Sequence, residues 1–406
     1  MKIQREYLSF KVTKKAEESI ISGHPWVYFD EILNDIDVEN GSIVDVLSEK
    51  GSYLGSGFYS KNSKIRIRII SRNINDNFDE AFFKRRIKYA VDYRATVMRQ
   101  DLSNCRLVFG EADGLPGLTI DKFNNIIVSQ ILSYGIEIRK EIIFKALLDI
   151  MAEYGQKIDG IYERNDVSIR KLEGLEENKS WFYRSELWDE NNNITYIKEN
   201  GIEYEVDFFN GQKTGFFLDQ KFNRAAVSKL SKGKKVLDCF THTGSFALNA
   251  AFGGAESVTA VDISQHAIDT AIRNAYRNGL ETKINFIVDD VFDLLTDKIK
   301  KNEYDFIILD PPAFTKSRKT VLNAKRGYGE INYRAMKLLP RGGYLATCSC
   351  SHFMEDKLFV KMLKESAMNA NVQLKQIEAK QQSPDHPILW NVPETDYLKF
   401  YIFQII

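Results

Sequence analysis

Between residues 234 and 310 four short apolar runs each stop on an aspartate: "KKVLD" at Asp238, "SVTAVD" at Asp262, "INFIVDD" at Asp289 and Asp290, and "YDFIILD" at Asp310. Among them lie "GSFALNAAF" and "QHAIDTAIRNAYRNGL"; in the latter Ala267, Ile268, Ala271, Ile272, Ala275 and Tyr276 recur at helical spacing before a stop at Gly279. Apolar strands alternating with helices predict an α/β fold with a mostly parallel, doubly wound sheet. Ligands of such sheets sit beyond the carboxyl ends of the strands, where these acids are. Carboxylates are seldom left there without a partner, so a ligand with donor or cationic groups is expected. Asp289 and Asp290 also have a plainer role open to them, as caps of the following helix.

The loop after the first run, "CFTHTGSF", limits the choice of ligand. A nicotinamide cofactor calls for G-x-G-x-x-G there, and only Gly244 is present; no P-loop occurs either. S-adenosylmethionine fits better, because its sulfonium is cationic, its amino group needs acceptors and its ribose diol suits a carboxylate about 20 residues further on. Asp262 follows Asp238 by 24 residues and is the expected ribose ligand; Asp290 is placed to accept from the adenine amine. His242 and His266 read as loop and surface histidines.

The rest of the chain divides by pattern. Residues 1–74 alternate apolar and polar residues between glycine turns, a small all-β module in which Lys64, Arg66 and Arg68 of "KIRIRIIS" share one strand face. Residues 75–195 mix helix and strand, with a hairpin expected about Asn124 and Asn125, a helix over 136–154 and a boundary at the polar stretch Asp189–Asn193. Residues 196–406 carry the doubly wound pattern, opened by a hairpin expected about Asn210-Gly211.

With 56 Lys and Arg against 56 Asp and Glu, overall charge gives no sign of a polyanion partner. The cations are clustered, however: Lys64 to Arg72, Lys84 to Arg99, and Lys316, Arg318, Lys319, Lys325 and Arg326 directly after "DPPAF". Such clusters serve either as solvated faces or as phosphate contacts. No apolar run approaches the roughly 18 residues of a membrane span and no signal-like segment opens the chain, so a cytoplasmic protein away from membranes is expected.

The four cysteines, Cys105, Cys239, Cys348 and Cys350, are then poor candidates for disulfides. The pair in "TCSCS" lacks the C-x₂₋₄-C spacing of a zinc site, so no metal is expected. A redox couple, two small core residues or a nucleophile with a bystander stay open. Strand alternation would put Cys348 and Cys350 on one face, Cys348 about 7 Å deeper and Cys350 at the rim.

The stretches "HPWVYFDEI", "GSGFYSKNSKIRIR", "EADGLPGLTID", "IYERNDVSIRKLEGL", "KTGFFLDQ", "LDCFTHTGSFALNAA", "VDISQHAI", "LDPPAF", "SCSHF" and "DHPILWNVPETDYLK" span the chain. In them it resembles the family of class I, S-adenosylmethionine-dependent cytosine-5 methyltransferases of 23S ribosomal RNA that carry a PUA domain. The resemblance implies a PUA-like RNA-binding domain at 1–74, an intermediate α+β domain at 75–195 and a Rossmann-like methyltransferase domain at 196–406. It implies Cys350 as nucleophile and Asp310 as the group holding the pyrimidine, with Phe314 available to stack on the base. Asp238, Phe240, Thr243, Gly244, Asp262, Ile263, Asp290, Asp310 and Gln220 would hold the cofactor. Arg66, Arg68, Lys316, Arg318 and Lys319 would meet large-subunit RNA, and a homodimer is compatible with it. One departure is Pro312, which stands where other RNA cytosine-5 methyltransferases carry a second cysteine; the base that takes the C5 proton is therefore unassigned. A purine-nitrogen methyltransferase needing no nucleophile, and a non-catalytic ribosome assembly factor, are the competing readings.

Overall fold

The computed structural model describes residues 6–99, 101–186, 188–189, 191–315 and 317–406. The chain divides into two compact units: residues 1–197, 206–218 and 384–395 form the first, and 198–205, 219–383 and 396–406 the second. No helix among the described residues is long and apolar enough to cross a membrane.

The first unit holds two five-stranded sheets. One is ordered Ser9–Lys11, Ile43–Leu47, Tyr53–Tyr59, Ile65–Ser71 and Trp26–Tyr28; the other Asn178–Arg184, Gly160–Asn165, Ile126–Ile131, Leu118–Phe123 and Asn104–Phe109. Helices Glu80–Val97 and Lys140–Glu153 accompany the second. Phe58 and Ile70 of the first sheet join Phe82, Phe83, Leu107 and Phe144 in one buried cluster, so the small β module shares its core with the layer that follows it. The Asn124-Asn125 hairpin forms as expected, with Phe123 paired to Ile126 and Asn124 at φ 56°.

The hairpin expected about Asn210-Gly211 forms ten residues earlier. Strands Ile194–Glu199 and Ile202–Asp207 flank Asn200-Gly201, with φ of 52° and 86°. A two-residue turn of this hand requires positive φ at both central positions. Of residues 210 and 211, neither takes it; they lie in a turn in which Asp207 accepts from the backbone of Phe209 and Asn210.

The second unit is a seven-stranded sheet whose strands are β1 Lys235–Cys239, β2 Ser257–Asp262, β3 Ile284–Val288, β4 Phe306–Leu309, β5 Tyr344–Ser349, β6 Leu374–Lys380 and β7 Lys399–Ile405. Their spatial order is 3-2-1-4-5-7-6. The first five run parallel and β7 runs antiparallel to β5 and β6. Helices α1 Lys221–Leu230, α2 Ser245–Phe252, α3 Gln265–Arg277, α4 Val321–Leu338 and α5 Asp356–Ala370 complete this Rossmann-like layer. Helix α3 starts on Ser264, which accepts from the Ala267 amide, and buries Ala267, Ile268, Ala271 and Ala275. Tyr276, expected on that stripe, faces solvent instead at 66% exposure. The strand order reverses between β1 and β4, the position at which doubly wound sheets open a crevice for ligands.

Candidate active site

The loop leaving β1 is unusual in its backbone. Phe240, His242 and Gly244 all take left-handed φ, at 64°, 51° and 82°. The two non-glycines each cost on the order of 1 kcal/mol or more, strain that folds keep where a site needs a particular shape. Gly244 has a second reason to lack a side chain, since a Cβ there would lie 3.0 Å from that of Ala271 in α3.

The folded-back loop surrounds Asp238. Thr241 Oγ1 and the Ala247 amide donate to Asp238 Oδ2 at 2.5 and 2.9 Å, while Oδ1 is buried with no partner in the protein; Thr243 Oγ1 is likewise buried and unpartnered. Burial pushes the Asp238 carboxyl up to about 7, and the charges of Asp310 and Asp262 act in the same direction. Burial also drives His242 down to about 4, so its imidazole is neutral.

The other strand ends add acceptors. Asp262 takes the His242 amide on Oδ2 and the Ser264 amide on Oδ1, both at 2.9 Å, and Ile263 beside it is 71% exposed. Asp290 Oδ1 accepts from the Phe292 amide at 2.7 Å, the helix-cap role open to it from sequence, so an adenine contact would fall to its other oxygen. Asp289 is ion-paired with Lys298 at 2.6 Å. Gln220 Nε2 donates to Asp310 Oδ1 at 3.1 Å, and Asn223 holds Gln220 by donating to its Oε1 at 2.6 Å.

These residues fit S-adenosylmethionine. Two orphaned buried oxygens at Asp238 and Thr243 await donors, Asp262 offers acceptors at the end of β2, and exposed Ile263 offers an apolar surface to a purine. A buried polar atom without a partner costs free energy that a bound donor recovers.

The cysteine pair is unequal. Strand β5 ends at Ser349, so Cys350 lies one residue beyond it, past the end of the alternation expected from sequence. Cys348 is fully buried; burial raises its thiol well above the ordinary value, Asp310 adds to this, and Gln220 and Asp310 are its hydrogen-bonding neighbours. Cys105 and Cys239 are buried as well, which leaves Cys350 as the partly accessible thiol. The segment around it is held by two residues that sequence reading passed over. Buried Tyr328 of α4 pairs its hydroxyl with Ser351 Oγ at 3.0 Å, and Lys399 Nζ donates to the Ser351 carbonyl at 2.8 Å. Each is more than 20 residues away in the chain, and no local motif signals such contacts.

Phe314 does not stand free for a base. Its ring packs 4.6 Å from Tyr328 and 6.0 Å from Phe292, and the exposed member of "DPPAF" is Pro312. Arg318 and Lys319, just beyond, are exposed and carry no ion pair among the described residues; Lys316 lies outside the described residues. In the first unit Arg66 is partly exposed, donates to the carbonyls of Ser60 and Lys61, and stacks 4.7 Å over Phe29. Arg68 departs from the expected basic stripe. It is buried and ion-paired with Glu173 at 2.8 Å, because that face of the strand is covered rather than solvated.

The family described as S-adenosylmethionine-dependent methyltransferase matches residues 183–403, and the PUA-like domain matches residues 10–72. The protein named Ribosomal RNA large subunit methyltransferase I of Aeromonas salmonicida (strain A449) is 42% identical over 395 residues, covering 96% of this chain and 97% of its own. The protein of that name from Klebsiella pneumoniae (strain 342) is 38% identical over 399 residues, covering 97% and 98%. Among solved structures, a protein from Streptococcus mutans described as a SAM-dependent methyltransferase aligns at TM-score 0.80 and 22% identity, over 98% of this chain and 100% of that one. A methyltransferase complexed with SAH aligns at TM-score 0.82 and 22% identity with the same coverage, and both speak for the fold.

Proposed function

Since the chain belongs to the family of S-adenosylmethionine-dependent methyltransferases, we propose that it methylates carbon 5 of a cytosine in large-subunit ribosomal RNA, with Cys350 as nucleophile. The substrate class comes from the names of relatives similar over nearly their whole length. The single observation that carries the chemistry is the partial accessibility of Cys350 beyond the end of β5, while its neighbour Cys348 is fully buried.

S-adenosylmethionine supplies an electrophilic methyl group when bound. Asp238 of β1 and Phe240, Thr243 and Gly244 in the loop after it, with Gln220, would hold its amino-acid part; Asp262 and Ile263 its ribose and base; and Asp290 the adenine amine. Cytosine C5 is a weak nucleophile until a thiolate adds to C6, which is the work assigned to Cys350. Asp310, oriented by Gln220, would hold the pyrimidine at N3 and its amine. The base must first leave its stack, at a cost of a few kcal/mol. Arg66, Arg318 and Lys319 would meet phosphates.

The test is mass mapping of modified nucleotides in ribosomal RNA with wild-type protein and with Cys350→Ala. Loss of 5-methylcytosine with cofactor binding preserved supports the reading; an unchanged product, or a methylated purine nitrogen, removes Cys350 from the chemistry.

A further inference from the structure

Lys399 is a buried cation with no carboxylate partner among the described residues. It opens β7 opposite Ser349, the last residue of β5. Its Nζ reaches past the strand end to donate to the carbonyls of Ser351 and Tyr397, each at 2.8 Å, and among the described residues it has no ion pair. Two of the three N–H groups are thus used and both acceptors are neutral. Lysine is hardly ever buried without an anion, because its desolvation has to be offset.

The carboxylates that face this lysine do not close on it. Asp396 is engaged by Gln381 at 3.3 Å, Asp356 by the Tyr401 hydroxyl at 2.5 Å, and Glu355 is exposed. His352 is turned to the Asp396 carbonyl at 3.4 Å. The remaining group is the Cys350 thiol, carried by the residue just before the carbonyl that anchors the ammonium, with Cys348 and Tyr328 as its own neighbours. Burial lowers Lys399 to about 8, and Asp396 and Cys350 are the first two charges that pull it back up.

We infer that Lys399 is a positioning residue that supplies the counter-charge for the Cys350 thiolate, an inference that rests on Cys350 being the nucleophile. The change involved is one ionisation: the S–H bond breaks, its proton passes to water, the electron pair stays on sulfur and the lysine keeps its three protons. The Ser351 carbonyl, one residue after Cys350, anchors the ammonium at the same end of the strand. The same charge stabilises sulfur again when it leaves the base at the end of the cycle.

The experiment is the pH profile, from 6 to about 9.5, of Cys350 labelling by iodoacetamide, read by peptide mapping in wild type, Lys399→Met and Lys399→Arg, with cofactor affinity as the check on folding. Wild type is expected to inflect below the ordinary thiol value of about 8.5, and Lys399→Met to label roughly tenfold more slowly at pH 7, with Lys399→Arg restoring most of the rate. A Lys399→Met profile superimposed on wild type, with cofactor affinity intact, overturns the inference. So does a wild-type inflection at or above about 8.5, a measurement needing no variant. The nucleophile reading fails separately, by methyl transfer surviving Cys350→Ala, whatever the labelling profile shows.

Discussion

Replacing Asp238 with asparagine is expected to make the ligand-free protein more stable and to weaken its hold on the cofactor. The carboxyl is raised from 3.8 to about 7 by burial, a change of about three units, each worth about 1.36 kcal/mol. The sign follows from proton binding. Between about pH 4 and 7 the folded protein keeps a proton that the unfolded chain has lost, so stability falls by up to about 4 kcal/mol as pH rises through that window. Asparagine does not ionise, and its amide oxygen can still accept from Thr241 and Ala247 as Asp238 Oδ2 does. The variant is expected to gain about 2–4 kcal/mol at pH 8 and nothing at pH 4, read as a shift in denaturant midpoint at constant m. Binding runs the other way. A cationic amino group favours the ionised carboxylate, so wild-type affinity is expected to rise through about pH 7 with release of a proton, detectable by calorimetry in buffers of different ionisation enthalpy. Parallel stability curves for the two proteins between pH 4 and 8, or cofactor binding without proton release, would refute the reasoning.

Cys348→Ala is expected to cost about 1–2 kcal/mol in stability and to keep methyl transfer, in contrast to Cys350→Ala, because its sulfur is packed rather than presented. Glu199→Gln would take the carboxylate charge from buried Arg224, whose Nε and Nη2 bond both oxygens of Glu199 at 2.7 and 2.9 Å with both side chains 1% exposed; the expected loss is about 3–5 kcal/mol by urea unfolding. Combined Arg318→Ala and Lys319→Ala substitutions are expected to lower the slope of log affinity for RNA against log salt by about 1.5–2, with cofactor affinity unchanged; an unaltered slope would take this pair off the phosphate contacts.

The parallel sheet was legible because four of its five strands are largely apolar runs that stop on acids, a pattern needing only local sequence. The conformation of the β1 loop was not, since nothing marks Phe240 or His242 as left-handed. Two Asn-Gly pairs stood ten residues apart, and only the strand pairing selects Asn200-Gly201. Arg68 misled for a related reason: alternation assigns a face, but whether water or Glu173 covers that face is decided by chain about a hundred residues later. Cys350 was placed at the rim by an alternation that ends one residue before it. Its surroundings, Tyr328 and Lys399, belong to contacts 23 and 48 residues distant in sequence.

The place of β7 in the sheet bears on when the site comes into being. It follows β6 in the chain yet lies between β5 and β6, so β6 has no neighbour to pair with until residues 399–405 exist. During synthesis β1 to β5 and the loop after β1 are made before Lys399, which arrives with β7. If Lys399 serves Cys350 as proposed, a nascent chain that has not reached β7 lacks the counter-charge, and reactivity of the thiol would depend on the last-made strand of the sheet.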